Sequence, residues 1–567
     1  MNEKVYSELE YVRPELDSTR DNSERLTKAI DNATSAEEVI RYIDEWNTSR
    51  LEVSTMQSLA EVRYTQNVAD LKVKAEKEFF DQNAPSIVES QLAVSRSIVS
   101  SPFRKELEDK LGELFFRRLE DSLRVFSPNI KDLLIEESSL QNEYNELTAT
   151  ARIEFDGQVY NLSTISKVGE SLDRGVRERV SKKLYGFLGE NAAALDRIYD
   201  KLVHLRHEKA LALGYSNYIE MRYTELGRVD YNAENVRNFR KQVVDVVVPI
   251  VAQLRAAQKK RLGYDVLNLW DERLHFPDGN PVAQGEHDYI VKAAERMYKD
   301  LSDETHEFFQ VMLTRQLMDL ESRDNKATGG YCTSFPLYQV PFIFANFNQT
   351  SHDVEVLTHE AGHAFQAWRS RNYTIPEYQW PTAEACEIHS MSMEYLTWPW
   401  MDSFFGEMTE KFKFYHLSSS IIFLPYGCMV DAFQHWVYEN PYASPADRLA
   451  TWHSLEKTYM PWRTGSGVPE AEQGRHWQFQ RHIYESPFYY IDYTLASTCA
   501  MQYLRWYQDN PREALASYMK VCDIGGSKPF LGIVDAGGLR SPFTPGTLEE
   551  VVGDCFSWLN RVYPSYF

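Results

Sequence analysis

Apolar side chains recur at intervals of three and four residues through the first part of the chain. Between residues 36 and 80 this spacing relates Val39, Ile43, Trp46 and Leu59, and few glycines or prolines interrupt it. Such spacing puts apolar side chains on one face of an α-helix. The pattern therefore predicts long amphipathic helices, and it continues through three further stretches, at residues 111–125, 132–150 and 168–187.

Two features interrupt this helical pattern. The run Ser127-Pro128-Asn129 ends one helix, and residues 151–160 predict a β-hairpin, because Asp156-Gly157 is a favoured turn pair. We expect residues 1–185 to form an N-terminal helical lobe and residues 186–567 to form a catalytic lobe. No linker rich in proline, glycine or serine separates the two ranges, so we expect the lobes to share an interface.

The helical spacing gives way to a strand pattern at residues 329–348. The pair Gly329-Gly330 opens a segment that ends at Pro336, and a second apolar segment follows at 341–348. Apolar alternation and proline predict two short strands, joined by a turn, at the edge of a sheet. Such an edge can bind an extended peptide as an added strand. Gly329, Gly330 and Tyr331 are therefore candidate substrate-binding residues, although a glycine pair also occurs in simple turns.

The next helical segment carries the clearest chemical signal. Apolar residues keep helical spacing through 354–368, and Asp353 precedes them as a candidate N-cap. His359 and His363 are four residues apart, so they lie on the same helix face and can bind a zinc ion together. Glu360 points toward the same space, where it can take a proton from a water molecule that zinc has acidified. The motif predicts a zinc hydrolase.

A catalytic zinc ion needs a third protein ligand and an open position for water. Residues 381–394 predict a second helix downstream of the two histidines. This helix carries several side chains that can bind a metal, and the spacing does not choose among them: Glu384, Glu387, His389 and Glu394.

A zinc-binding helix followed by Glu-x-x-Ser-x-x-x-Glu resembles the thimet oligopeptidase family of zinc metallopeptidases, in particular its oligoendopeptidase F and PZ-peptidase branch. The resemblance implies that Glu387 is the third ligand of one Zn²⁺ per chain, and that Glu394 orients a ligating imidazole. It also implies a mainly α, zincin-like fold. In that fold two helical lobes enclose a deep substrate channel, and a small β-sheet lies beside the zinc helix.

The segment 481–493 is rich in histidine and tyrosine. Peptide hydrolysis passes through a tetrahedral oxyanion, which imidazole and phenol donors stabilise. By the same resemblance, His482 matches the family histidine, and Tyr490 and Tyr493 match two tyrosines one helical turn apart that contact the substrate carbonyl. We favour Tyr493 as the main oxyanion donor, with Tyr490 as the alternative. The thimet branch has a glycine-flanked tyrosine where this chain has Ser486-Pro487-Phe488.

Composition limits the partners and the compartment. A formal net charge of −22 argues against nucleic acid or an anionic membrane as partner, because both repel an acidic protein. The first residues show no signal-peptide pattern, and no apolar run approaches the length of a membrane span, so we expect a cytoplasmic protein. The six cysteines lack paired spacing, which indicates free thiols. The sequence leaves the oligomeric state open.

These features predict a zinc-dependent endopeptidase that hydrolyses internal bonds of short, unstructured peptides. One alternative is a carboxypeptidase or dipeptidase, which needs a cation for the substrate carboxylate, and Arg481 or another arginine is available for this role. The other alternative is a noncatalytic helical binding protein with a vestigial metal site. The presence of Glu360 argues against it, because a structural site has four closed ligands and needs no general base.

Overall fold

The computed structural model of the protein describes residues 4–465 and 467–567. The first helices are α1 Leu16–Asp31, α2 Ala36–Gln66, α3 Leu71–Val99, α4 Arg104–Leu111, α5 Glu113–Arg124 and α6 Lys131–Ala149. A hairpin of β1 Ile153–Phe155 and β2 Gln158–Tyr160 follows. The next helices are α7 Leu162–Val168, α8 Arg174–Glu190, α9 Ala192–Ala212, α10 Tyr218–Glu225, α11 Ala233–Gln242, α12 Val248–Leu262, α13 His287–Leu301 and α14 Asp303–Thr314.

The second half of the chain contains a small sheet and then helices again. Its strands are β3 Met318–Glu321, β4 Tyr331–Phe335 and β5 Val340–Phe347. The helices that follow are α15 His352–Ser370, α16 Pro376–Gln379, α17 Ala383–Leu396, α18 Asp402–Phe405, α19 Thr409–Glu439, α20 Pro445–Tyr459, α21 Pro469–Glu472, α22 Arg481–Glu485, α23 Tyr490–Asp509, α24 Pro511–Ile524, α25 Phe530–Ala536 and α26 Thr547–Val562. The predicted mainly α fold is confirmed.

Local sequence explains where the predicted helices begin and end. The apolar pattern at 36–80 is divided between α2 and α3, because Asp70 caps α3 by accepting the amide of Lys72 at 2.8 Å. Gly112, at φ +90°, separates α4 from α5 within the stretch predicted at 111–125. The predicted hairpin is also confirmed: β1 and β2 pair antiparallel, and both turn residues, Asp156 and Gly157, have positive φ.

The three-stranded sheet has the order β3-β5-β4, with β3 parallel and β4 antiparallel to β5. The two predicted strands are present, but the expectation that proline marks an edge strand is wrong, since Pro341 lies in the middle strand β5. The amide of Ile343 donates to Leu317 on the β3 side, and alternate residues of a strand face the same side. The nitrogen of Pro341 therefore faces a position that β3 does not reach, and no ladder bond is lost.

Helix α17 packs against both α15 and α23. Gly362 makes the first contact possible, because a Cβ atom there would lie 2.6 Å from the carbonyl oxygen of His389. Gly427 of α19 has the same role beside α23, where a Cβ would lie 2.4 Å from Thr494. These close approaches bring the helices that carry the candidate catalytic residues into one packed group.

The N-terminal helices contact the catalytic helices directly. Arg118 donates to the carbonyl oxygen of Glu377 at 3.0 Å, and the hydroxyl of Tyr378 donates to the carbonyl oxygen of Leu111 at 2.7 Å. The lobe boundary at residue 185 falls inside α8 and stays a prediction. Among the described residues, none of the helices has the length and apolar character needed to cross a membrane.

Candidate active site

Helix α15 begins one residue before Asp353, so the predicted N-cap role of this residue is wrong. Asp353 lies in the first turn, where its carboxylate accepts the amides of Asn348 and Gln349 at 2.9 and 2.7 Å. These bonds connect the end of β5 to the start of α15. The strand and the helix that carries His359 and His363 are therefore fixed relative to each other.

The two histidines of α15 meet Glu387 of α17. Their Nε2 atoms lie 3.3 Å (His359) and 3.5 Å (His363) from Oε2 of Glu387, and one donor atom from each of the three residues lies within 4.8 Å of the others. Two imidazoles and one carboxylate form a donor set of catalytic zinc sites, in which a fourth position stays open. The residues present therefore fit a zinc ion. The Glu387 side chain is 3 % exposed and that of His359 is 22 % exposed.

Glu360 lies beside this cluster with a free carboxylate oxygen. The residue is buried, and its Oε2 atom has no hydrogen-bond partner among the described residues. Burial raises the pKa of Glu360 above its ordinary value, while the imidazoles of His359 and His363 act in the opposite direction. A Cβ atom on Gly330 would lie 3.6 Å from Oε1 of Glu360. Gly330, which directly precedes β4, therefore lies next to the candidate base.

Glu394 contacts a candidate ligand instead of joining the cluster. One carboxylate oxygen lies 2.7 Å from Nδ1 of His359, and the other lies 2.6 Å from Nε2 of His416, a residue of α19 that the sequence did not indicate. Burial raises the pKa of a carboxyl group, but these two hydrogen bonds outweigh it and lower the pKa of Glu394 to about 2. Glu394 is therefore an anion that accepts from two imidazoles.

The other two candidates on α17 point elsewhere. Burial raises the pKa of Glu384, with the charge of Arg228 acting in the opposite direction. The imidazole of His389 is fully buried, its nitrogens have no partner in the described part of the chain, and burial lowers its pKa to about 4. Of the four possible third ligands on this helix, only Glu387 is grouped with His359 and His363 among the described residues.

The side chains of His482 and Tyr493 are neighbours, and their catalytic role stays a prediction. The hydroxyl of Tyr493 lies 3.4 Å from Nε2 of His482, and the side-chain amide of Gln480 donates to Nδ1 at 3.1 Å. Burial and the charge of Arg481 lower the pKa of His482 to about 4, so the ring is neutral near pH 7. A neutral ring that accepts at Nδ1 carries its proton on Nε2, where it can donate to a substrate oxygen. The ring of Tyr490 packs 5.2 Å from that of His482.

Tyr489 is a residue that the sequence reasoning missed. Its hydroxyl donates to Oε1 of Glu387 at 2.8 Å, and Ser390 donates to Oε2 at 2.9 Å. Ser390 is the serine of the Glu-x-x-Ser motif, so that motif gave a signal for one of the two contacts. Tyr489 lies in the histidine- and tyrosine-rich segment 481–493, but nothing in the local pattern indicates that it contacts Glu387.

Side chains from distant parts of the chain hold the segment between His482 and Tyr489. Arg222 and Arg228 donate to the carbonyl oxygens of Pro487 and Phe488 at 3.2 and 2.6 Å, and the amide of Phe488 donates to Gln434 at 3.1 Å. Phe488 has φ +63°, a conformation that is unfavourable for a bulky residue. Such a conformation costs about 1–3 kcal/mol and persists only where the surroundings enforce it. The anchoring bonds provide that enforcement.

The side chains of Tyr331 and Arg481, which the sequence suggested for substrate binding, make their contacts elsewhere. The hydroxyl of Tyr331 lies 2.6 Å from that of Thr65, and its ring stacks on Phe344, so only the backbone of Tyr331 is available to a peptide beside β4. Arg481 pairs with Glu485, and its side chain is 59 % exposed. It is therefore not a free cation beside the candidate metal ligands.

Comparison with known proteins identifies similar chains. The model of peptidase family M3 matches residues 168–552, and the model of the peptidase M3 N-terminal domain matches residues 6–126. A structure of PZ peptidase A with an inhibitor is 46 % identical, with a TM-score of 0.96 and coverage of 98 % of this chain and 99 % of that one. No curated protein matched the sequence.

Two structures assigned to oligoendopeptidase F are similar over the full length of both chains. One is 44 % identical with a TM-score of 0.96. The other, from Bacillus anthracis, is 42 % identical with a TM-score of 0.92. The fold and the length of the chain are therefore shared with these proteins.

Proposed function

The chain belongs to peptidase family M3 and is a metallopeptidase, and we propose that it is a zinc-dependent endopeptidase acting on short, unstructured peptides. The observation that carries this proposal is the meeting of His359, His363 and Glu387 beside the unpaired carboxylate of Glu360. A noncatalytic role leaves Glu360 unexplained, because a buried carboxylate oxygen without a partner is unfavourable unless it has a use.

His359, His363 and Glu387 would hold one zinc ion per chain. Zinc bound at such a site lowers the pKa of a water molecule and polarises the carbonyl group of the peptide. Glu360 accepts the proton of that water and then donates it to the leaving nitrogen of the cleaved bond. Burial raises the pKa of Glu360 above its ordinary value, which favours the step in which the carboxylate gains a proton.

His482 and Tyr493 would stabilise the negative oxygen of the tetrahedral intermediate. The Nε2 atom of His482 and the hydroxyl oxygen of Tyr493 lie 3.4 Å apart, so a single substrate oxygen can contact both donors. The neutral state of His482 suits this role, since its Nε2–H is present across the neutral pH range. Tyr490 remains the alternative phenol donor, one helical turn earlier on α23.

The peptide would lie along β4. Gly329 and Gly330 allow its backbone to approach Glu360, and the backbone of Tyr331 extends the strand. Binding through backbone hydrogen bonds selects extended chains more than particular sequences. The N-terminal helices would form the wall of a channel that admits a flexible peptide of roughly five to twenty residues but excludes folded proteins.

A fluorescence-quenched peptide blocked at both ends tests this proposal. We expect cleavage that a chelator abolishes and that zinc restores, whereas a folded protein stays intact. A carboxypeptidase or dipeptidase requires a free terminus, so it would leave the blocked peptide uncut. Absence of cleavage with zinc present, or rapid digestion of the folded protein, would contradict the proposal.

A further inference from the structure

A buried tryptophan, Trp398, donates a hydrogen bond to His416, the residue that contacts Glu394. Trp398 lies in the short 3₁₀ turn Trp398–Trp400 that follows α17. Its indole nitrogen lies 3.0 Å from Nδ1 of His416, and both residues are buried. None of the steps proposed above uses either residue.

The indole nitrogen fixes the proton position on His416. An indole N–H can donate but cannot accept, so Nδ1 of His416 must be the acceptor. A neutral ring then carries its proton on Nε2, which lies 2.6 Å from Oε2 of Glu394. That N–H therefore donates to Glu394. Trp398 thus donates to His416, and His416 donates to the carboxylate.

Glu394 also accepts a hydrogen bond from His359, so both imidazoles donate to this carboxylate. Its Oε1 atom lies 2.7 Å from Nδ1 of His359, and a carboxylate can only accept, so the proton of His359 lies on Nδ1. The lone pair of His359 is then on Nε2, the nitrogen that lies 3.3 Å from Glu387. The reverse tautomer of His416 would direct a lone pair at Glu394 and remove one of the two donors that hold this carboxylate.

Aromatic packing holds the His416 ring in place. Its centroid lies 5.4 Å from that of Phe412 at an angle of 18°, and 5.0 Å from that of Tyr395. The ring is therefore stacked on one neighbour and bordered by another, which restricts rotation about its side-chain bonds. Because His416 lies on α19, the orientation of His359 depends on a helix that carries none of the candidate ligands.

We propose that Trp398 and His416 are positioning residues that act through Glu394 to fix the tautomer and orientation of His359, and so strengthen zinc binding. This inference rests on the proposed zinc site. Partners that orient a ligating histidine typically change metal affinity by about 10- to 100-fold.

Three variants separate donation from packing. Trp398→Phe removes the indole N–H and keeps an aromatic ring, while His416→Phe removes both imidazole nitrogens. His416→Gln keeps an N–H donor that can reach Glu394. The matched control is Trp558→Phe, because the Trp558 ring packs 6.0 Å from that of Trp398 in the same aromatic group but takes no part in the hydrogen-bond chain.

The measurements are the zinc dissociation constant of each metal-free protein, by chelator competition, and its melting temperature without zinc. We expect His416→Phe to bind zinc about 10- to 100-fold more weakly. Trp398→Phe should lose roughly 2- to 10-fold, the equivalent of one net hydrogen bond. His416→Gln should recover most of the affinity lost in His416→Phe, and Trp558→Phe should bind zinc as the wild type does.

The outcomes distinguish this inference from the proposed function. If wild-type protein binds no zinc, the proposed function fails and the inference fails with it. If wild-type protein binds zinc and Trp398→Phe binds it equally well, only the inference is overturned. Equal loss in His416→Gln and His416→Phe would also overturn it, because donation to Glu394 would then be irrelevant. Trp398→Phe keeps an aromatic ring, and Trp558→Phe controls for the volume lost in a Trp→Phe change, so the test remains decisive even if His416→Phe does not fold.

Discussion

The hydroxyl of Tyr489 donates to Oε1 of Glu387 over 2.8 Å, on the side of the carboxylate away from the two histidines. The other oxygen, Oε2, is the one that lies 3.3 and 3.5 Å from His359 and His363. The ring of Tyr489 also packs 5.3 Å from that of Tyr493. One residue therefore connects the candidate metal ligands with the candidate oxyanion donors.

Tyr489→Phe should weaken zinc binding by roughly 10-fold, because Glu387 loses one of the donors that orient it. Chelator competition measures this loss. Tyr490→Phe is the matched control, since it removes a neighbouring hydroxyl that does not contact Glu387. Equal zinc affinity in the two variants would show that the Tyr489 hydroxyl does not support the metal site.

Glu360→Gln should retain zinc but lower kcat by about 10²- to 10⁴-fold, because the water loses its proton acceptor while the metal ligands are unchanged. Zinc content and kcat are measured on the same preparation. Loss of zinc together with activity would instead indicate that Glu360 supports the structure of the site.

Glu387→Gln should greatly weaken zinc binding, since a neutral amide is a poor zinc ligand. Glu384→Gln is the matched control on the same helix, and it should retain zinc because Glu384 does not join the cluster. Metal analysis after dialysis distinguishes them. Loss of zinc from Glu384→Gln alone would reverse the assignment of the third ligand.

Tyr493→Phe should lower kcat by about 10²- to 10³-fold with little change in KM, if its hydroxyl binds the oxyanion only in the transition state. Steady-state kinetics on the blocked peptide provides both constants. A wild-type kcat would exclude this role and leave Tyr490 as the candidate donor, which Tyr490→Phe would then test.

Acid should destabilise the protein partly through His275. Burial lowers the pKa of this histidine well below its ordinary value of 6.5, and the charges of Arg255 and Arg261 add to the effect. The unfolded chain then binds a proton that the folded protein excludes, so stability falls as the pH drops below about 6.5, by at most about 1.4 kcal/mol per pH unit. Urea unfolding of wild type and His275→Gln at pH 5 to 8 measures this slope. An unchanged slope in the variant would contradict the assignment.

The sequence by itself determined the local features of this protein. The helical period placed His359 and His363 on one face of a helix, and the pair Asp156-Gly157 specified a hairpin turn. Both features depend on residues a few positions apart, so backbone geometry alone converts sequence spacing into position. Resemblance to a known family added Glu387 and its role, which stays a prediction, where spacing left four candidates open.

Only the tertiary structure decided which side chains from different helices meet. The packing of α17 against α15 brings Glu387, and not Glu384, to the histidines. The contacts of Glu394 with His416 and of Glu387 with Tyr489 join residues 22 and 102 positions apart. Such contacts depend on the buried faces of separate helices and on how those helices are aligned when they pack. No local periodicity carries that information.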